Sequence, residues 1–213
     1  LEISYASKKA VEVLEKLEAV LNAGKSVKMA GLNEDECLII KPLNLLTYKP
    51  TIYAPNVSED DLANGNDWVE KVRNIAAAEN AQLVVISAQV ESELIELPEE
   101  EIADYLESLG VEEGGLKSLI KATYQLLGLR TYFTTGEKET KAWTIKAGML
   151  APQAAGVIHT DFERGFIRAE TIAYEDLVTS GSMTAAKEKG LLRSEGKDYL
   201  VKEGDIMLFR FNV

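Results

Sequence analysis

The sequence predicts an α/β unit followed by an α+β unit. From Thr51 to Leu127, strand-like and helix-like stretches alternate in the rhythm of a doubly wound α/β domain. From Arg130 onward, short alternating strands surround one helix rich in small residues. The charge divides at the same place. Residues 130–213 hold 12 Lys+Arg and 12 Asp+Glu, whereas residues 1–129 hold the other 11 and 23, which accounts for the whole net charge of −12. A domain boundary is therefore expected near Gly128.

Residues 8–22, KKAVEVLEKLEAVLN, read as a helix with Ala10, Leu14, Leu17 and Leu21 on one face, stopped by Gly24. A second helix is expected from Asn33, where Glu36 stands at the third position of a capping box, and Pro42 should end it. A short loop between two helices favours an antiparallel hairpin. TIYAPNV (51–57) and AQLVVISA (81–88) are strand candidates, the second apolar enough to be covered on both faces. Helices are expected over 66–80, from Leu97-Pro98-Glu99 onward, and over 115–127. Two strands are too few for such a sheet, so this part reads as the tail of an α/β domain whose opening strands are missing.

In the second part, RTYFTT and TKAWTI flank a turn at Gly136, and the central helix follows Gly148. FIRAETIAY (166–174) comes next, with outward Arg168 and Glu170. Two short helical pieces lie around YEDLV and AAKEKG, and Gly204-Asp205 reads as a hairpin turn near the end. Four or five strands and one main helix make a compact α+β domain.

Composition narrows the function classes. The single cysteine, Cys37, excludes an intrachain disulfide and makes a reducing cytoplasm the default. No apolar run approaches the roughly 20 residues of a membrane span, and LEISYASKKA lacks the order of a signal peptide. The acidic first part argues against broad binding to nucleic-acid phosphates, and nothing suggests sequence-specific DNA recognition.

Gly24-Lys25-Ser26 is the tail of a P-loop, but Ala19 stands where its first glycine belongs and the segment leaves a helix rather than a strand. A phosphate site is rejected there. With one His and one Cys, a His/Cys zinc site is excluded. His159 beside Asp161 has no nucleophile motif or ligand cluster with it, which leaves a structural or docking role. Glu91, Glu93 and Glu96 read as a solvated helix face. Phe162, Phe166, Phe209 and Phe211 read as core rather than a base-stacking platform.

Two loops at the carboxyl ends of adjacent strands could form a purine site: Asn56-Val57-Ser58-Glu59 and Ser87-Ala88-Gln89. An Asn carboxamide carries a donor and an acceptor, which suits the N7 edge of a purine. Guanine sites use Asn-Lys-x-Asp, whose Asp accepts from two guanine N–H groups. Here Val57 and Glu59 replace Lys and Asp, which weakens the discrimination for guanine. The alternative is that Asn56 and Ser58 form a polar turn beside a solvated Glu59-Asp60-Asp61 loop.

KAWTIKAGMLAPQAAGVIHTDFERGFIRAETIAYEDL, with EGKDYLVKEGDIMLFRFNV at the end, resembles the C-terminal TGS domain of the YchF/Obg-like ATPases. TYKPTIYAPNVSEDD and VVISAQVESEL resemble the latter part of that family's nucleotide-binding domain, and residues 8–45 its helical arm. The resemblance implies a helical, coiled-coil-like arm over 1–45, the end of a doubly wound P-loop NTPase sheet over 46–129, and a ubiquitin-like β-grasp TGS domain over 130–213. It implies that Asn56 and Glu59 fall on the family's Asn-x-x-Glu motif and that Ser87 and Ala88 close over the base, with Val57 beside them. His159, Asp161, Arg164 and Arg168 are the expected docking residues.

The implied ligand is ATP or GTP, and the implied partner is the ribosome, through its RNA or protein, in the cytoplasm. Family members hydrolyse ATP, and GTP in some cases. The P-loop, the Mg2+-binding and switch segments and the catalytic histidine lie upstream in that pattern, and His159 cannot replace the last of these. No catalytic or metal-binding residue is expected in this chain, which alone should hydrolyse nothing. The competing expectation is a stand-alone RNA- or protein-binding TGS module without a nucleotide. If the chain truly begins at Leu1, the unpaired sheet edge should promote self-association or poor solubility.

Overall fold

In the computed structural model, residues 2–136 and 138–212 are described, with backbone alone for residues 2–7. The chain divides into two compact units, Leu1–Leu126 and Leu127–Val213.

The first unit opens with α1 (Glu2–Asn22), which ends where Gly24 adopts a left-handed φ of 69°. The inward residues of α1 are Val13 and Leu17, packed with Val27 and Ile40. The expected face is corrected by this packing: Leu14 and Leu21 are 45% and 44% exposed. Val13 and Leu14 both carry apolar side chains about 100° apart around the helix, so spacing supports two stripes equally. The partner chooses one. After a short 3₁₀ turn, α2 (Glu34–Ile40) starts at the expected capping box. Asn33 Oδ1 accepts from Glu36 N at 3.0 Å, and Asn33 N donates to Glu36 Oε2 at 2.9 Å. Lys9 and Lys16 of α1 pair with Asp35 and Glu36, so α2 is held to α1 by its first turn. Pro42 lies in the 3₁₀ turn that follows, so the second limb of the expected hairpin is only seven residues long.

Next come β1 (Ile52–Tyr53), α3 (Asp67–Ala78) and β2 (Gln82–Leu83), a parallel pair joined by a crossover helix. Pairing resumes at one bridge, Asn56 to Ile86. The strand expected over 81–88 is regular for only two residues. Its Val85 and Ile86 are half-buried rather than covered on both faces, because β1 is its one partner among the described residues. The unit ends with α4 (Ala88–Glu96), α5 (Glu99–Ser108) and α6 (Gly115–Leu126). A Cβ on Gly115 would stand 3.1 Å from Ile86 Cα, so the missing side chain is what lets α6 close against the bridge residue Ile86 beyond β2.

The second unit contains β3 (Leu129–Thr135), β4 (Thr140–Lys146), α7 (Ala151–Ile158), α8 (Thr160–Arg164) and β5 (Phe166–Ala173). It continues through α9 (Tyr174–Ser180), α10 (Met183–Glu188), β6 (Arg193–Glu195) and β7 (Asp205–Phe211). The five strands form one sheet in the order β4-β3-β7-β5-β6. Its central pair, β3 and β7, is parallel and the others antiparallel. On one face α7 packs its Ala151, Ala154 and Ala155 onto Tyr132, Ala169, Met207 and Phe209. Small side chains let the helix approach closely, and Tyr132 Oη donates to Ala154 O at 2.9 Å. On the other face Ile172 and Ile206 pack with Ala186 and the short helices.

Two strand expectations change here. Gly204-Asp205 does not close a hairpin: Leu200 bridges Leu150, and β7 pairs with β3 and β5. Asp205 is instead buried, accepting from Lys202 N at 2.9 Å and Tyr199 Oη at 2.8 Å. The register of β5 against β7 shifts between Phe166 and Arg168, which turns Ile167 outward at 57% exposure while Phe166 stays inside.

Candidate functional site

The two loops proposed for a purine are brought together by backbone pairing. Pro55 O accepts from Ile86 N at 3.0 Å, and Val57 N donates to Ile86 O at 2.9 Å. Between these contacts Asn56 turns its side chain across to the second loop, where Oδ1 accepts from Ala88 N at 2.9 Å. That bond occupies one of the two lone pairs of the carboxamide oxygen and fixes which way the side chain turns. What the exposed Asn56 then offers a ligand is its Nδ2 donor, which has no protein acceptor among the described residues. Ser87 is 1% exposed and serves as the N-cap of α4, its Oγ accepting from Val90 N at 3.5 Å. Ser87 therefore holds the start of α4 in place, and Ala88 is the exposed member of that loop.

Glu59 follows on the first loop, where it opens a 3₁₀ turn over Glu59–Asp61 and is exposed. The acidic loop around it is anchored. Asp61 Oδ2 accepts from Ser58 Oγ at 3.2 Å and from Asn66 Nδ2 at 2.8 Å, while Asn66 Oδ1 caps α3 through Trp68 N and Val69 N. The charge of Glu59 is felt by Tyr105 of α5. The Tyr105 phenol donates to Glu93, and this bond, burial and the charges of Glu93 and Glu59 push its pKa up to about 12. Glu93 in turn is held below the usual carboxylate range by Tyr105 and by Gln89.

Glu91 and Glu93 thus do more than line a solvated face. Glu93 ties α4 to α5, and Glu91 Oε1 accepts from Gly115 N at 2.6 Å, tying α4 to the start of α6. Asn66 carries a local signal as the N-cap of α3, but Tyr105 and Glu91 carry none. Their partners lie 12 and 24 residues away, and only folding joins them. The Gly24-Lys25-Ser26 segment is no phosphate cradle: Gly24 terminates α1, and Ser26 is buried with Oγ donating to Thr47 O at 2.9 Å.

His159, Asp161, Arg164 and Arg168 all lie in the second unit and do not make one patch. His159 joins α7 to α8, its Nδ1 accepting from Asp161 N at 3.2 Å. The same nitrogen is 3.4 Å from Asp161 Oδ2, a contact that a protonated ring could use only by giving up the cap. Arg164 is exposed in the last turn of α8. Arg168 lies on the opposite side of β5 from Ala169, which faces α7, and it pairs with Glu170 at 3.1 Å. Arg210 also binds Glu170, through contacts of 3.2 and 3.3 Å, and is the first cause of that carboxyl's lowered pKa. Phe162 stacks on Phe211 with centroids 3.9 Å apart, while Phe166 and Phe209 are core.

Among the described residues no group of three or more His, Cys, Asp or Glu side chains is placed to hold a metal ion. Among the described residues no helix is long and apolar enough to cross a membrane.

Comparison with known proteins finds relatives along the chain. The model of the family YchF-GTPase_C, described as a protein of unknown function (DUF933), matches residues 129–212. The ribosome-binding ATPase YchF of Bacillus subtilis is 53% identical over 204 residues, covering 95% of this chain and 56% of that protein. The protein of the same name from Escherichia coli O157:H7 is 49% identical over 207 residues, covering 97% of this chain and 57% of its own length. Among solved structures, the YchF GTPase of Schizosaccharomyces pombe superposes with a TM-score of 0.80 at 35% identity, covering 97% of this chain and 55% of that one. A GTP-binding protein from Pyrococcus horikoshii, at 17% identity and a TM-score of 0.57, shares the fold. The chain therefore spans little more than half the length of these relatives. Over its length the chain is similar to the C-terminal part of the proteins named YchF.

Proposed function

We propose that this chain is the C-terminal part of a ribosome-associated nucleotide switch, supplying purine-base recognition and an effector surface. The observation that carries the reading is the bond from Ala88 N to Asn56 Oδ1, which couples the two loops and leaves the Nδ2 donor without a protein acceptor among the described residues. A purine N7 would accept from that donor. Val57, Glu59, Ser87 and Ala88 would surround the base, with Ser87 acting through the position of its loop. A carboxylate at Glu59 accepts but cannot donate. It fits an amino group on either purine and lacks the paired geometry that singles out guanine.

Residues 46–129 then correspond to the end of a P-loop NTPase sheet, residues 1–45 to a helical arm, and residues 130–213 to a β-grasp TGS domain. The order β4-β3-β7-β5-β6 with a parallel central pair supports the last assignment. The relatives' printed names, ribosome-binding ATPase, support an ATPase activity and a ribosomal partner for the whole protein, and with them a cytoplasmic location. The chain itself has no GxxxxGK[ST], so phosphate and Mg2+ binding are assigned to a segment upstream. The second unit has its own core, which also favours a simpler reading as a binding module that needs no nucleotide.

Titration of fluorescent ATP and GTP against this chain and against the product of a longer reading frame separates the two. The longer protein should bind ATP or GTP, and Asn56→Ala should weaken that binding about tenfold, the effect of one lost directional bond to a base. If the longer protein binds neither nucleotide, the switch reading is lost. If the short chain alone binds tightly, phosphate contacts are not essential and the assignment of the upstream segment is wrong.

A further inference from the structure

Away from the purine loops, α4, α5 and α6 enclose a groove of about 760 Å³. Leu106 forms its floor at 6% exposure, with Leu94 and Ile102 on one side and Leu116 and Ile120 on the other. Leu116 and Ile120 stand one helical turn apart and remain 57% and 52% exposed. The packing of α6 does not need them, since its buried residues are Gly115 and Ala122. A lone exposed leucine means little, but two adjacent aliphatic side chains lining a groove form a patch of the kind that binds.

The rim carries a definite sign. Both lysines on the α6 side, Lys117 and Lys121, are occupied by Glu113, and Glu91 is occupied by Gly115 N. Glu99 and Glu112 also line the groove and have no ion pair among the described residues. The charge left uncompensated at the mouth is therefore negative, on a part of the chain with 23 Asp+Glu against 11 Lys+Arg.

We propose that this groove docks a basic amphipathic helix of a partner protein. Two apolar side chains a turn apart enter between Ile102 and Ile120, and flanking Lys or Arg residues face Glu99 and Glu112. Helix-in-groove recognition uses apolar anchors of this spacing, and complementary rim charge speeds the encounter and orients the helix. The proposal does not depend on nucleotide binding.

The probe is a fluorescein-labelled helical peptide of about 18 residues, long enough for several turns. It carries leucines at i, i+3, i+4 and i+7 with lysines flanking them, and its anisotropy is followed on addition of the chain. A sister peptide with glutamates for lysines should bind at least tenfold more weakly. Ile120→Glu should lower affinity for the basic peptide about tenfold, although it adds negative charge that would strengthen a purely electrostatic contact. Equal binding by Ile120→Glu overturns the proposal. Leu116→Ser repeats the test without a new charge, and circular dichroism checks that both variants fold. On the unaltered protein, the peptide should slow amide hydrogen exchange in α5 and α6, and protection confined to other elements also overturns the proposal. Sedimentation that shows a dimer abolished by Ile120→Glu makes the occupant a second copy of this chain and refutes the basic partner.

Discussion

Gly165 sits where α8 hands the chain to β5, inside the HTDFERGF run. Its backbone φ of −89° is one any residue can adopt, so conformational freedom is not what requires glycine here. The requirement is space. A Cβ at this position would lie 2.8 Å from the carbonyl carbon of Asn212 and closer still to its oxygen. Asn212 N also donates to Gly165 O at 2.9 Å, so the two backbones are already bonded to each other. In Gly165→Ala the carbonyl carbon alone has to retreat by about 0.6 Å to reach ordinary contact at 3.4 Å.

The neighbour is backbone and cannot rotate away, so the end of β7 has to move and the bond at Asn212 N stretches. Overpacking costs about 1–3 kcal/mol and the lost hydrogen bond about 1 kcal/mol, giving about 2–4 kcal/mol. For a unit of this size that lowers the melting temperature by about 8 °C or more. Thermal melts by circular dichroism or calorimetry read it directly. Gly156→Ala is the milder comparison: its added Cβ meets the Glu163 carboxylate, which can rotate away, leaving Glu163 Cβ at 3.2 Å to give by a few tenths of an ångström, and alanine is the better helix former. That variant should melt within a few degrees of the parent. A Gly165→Ala protein that melts within about 3 °C of the parent would refute the steric argument.

Two further outcomes follow from the same structure. Asn33→Ala removes one half of the capping box and should cost about 1 kcal/mol, within a range of about 0.5–2, in urea denaturation, with faster amide exchange in α2. An unchanged midpoint would show that the α1 contacts alone hold that turn. Glu170 is held below its ordinary value of 4.5, chiefly by its hydrogen bond with Arg210. A depressed folded pKa means this stabilisation is complete above about pH 4.5 and fades as pH falls through the folded value. Melting temperatures measured from neutral to acid pH should therefore fall less steeply in Glu170→Gln than in the parent, and parallel curves would exclude a role for Glu170.

Short-range signals were legible wherever neighbours in sequence are also neighbours in space. The Asn33–Glu36 box, the stop at Gly24 and the left-handed turns at Gly148 and Gly204 needed only local chemistry. Signals that depend on a distant partner were not. Spacing does not settle the inward face of α1, because Val13 and Leu14 are both apolar and only packing buries one of them. Gly204-Asp205 reads as a hairpin turn, and nothing local reveals that Leu200 bridges Leu150 instead. The loops bearing Asn56 and Ser87 could be named from their places after two strands, but the direction of the carboxamide could not. It depends on a bond spanning 32 residues.

By itself, the sequence determined that the chain is a mixed α/β protein whose first part is acidic and whose residues resemble one family over the whole length present. Hydrophobic period, capping residues and charge are local or additive properties, so they can be counted along a chain. Tertiary structure alone decided that Asn56 Oδ1 binds the second loop, that Ser87 is buried support, and that Glu91 and Glu93 bind neighbouring helices. It also separated Arg168 from His159 across β5 and left Leu116 and Ile120 lining an acidic-rimmed groove. Burial and hydrogen-bond satisfaction depend on every element packed nearby, and that information exists only once the chain has folded.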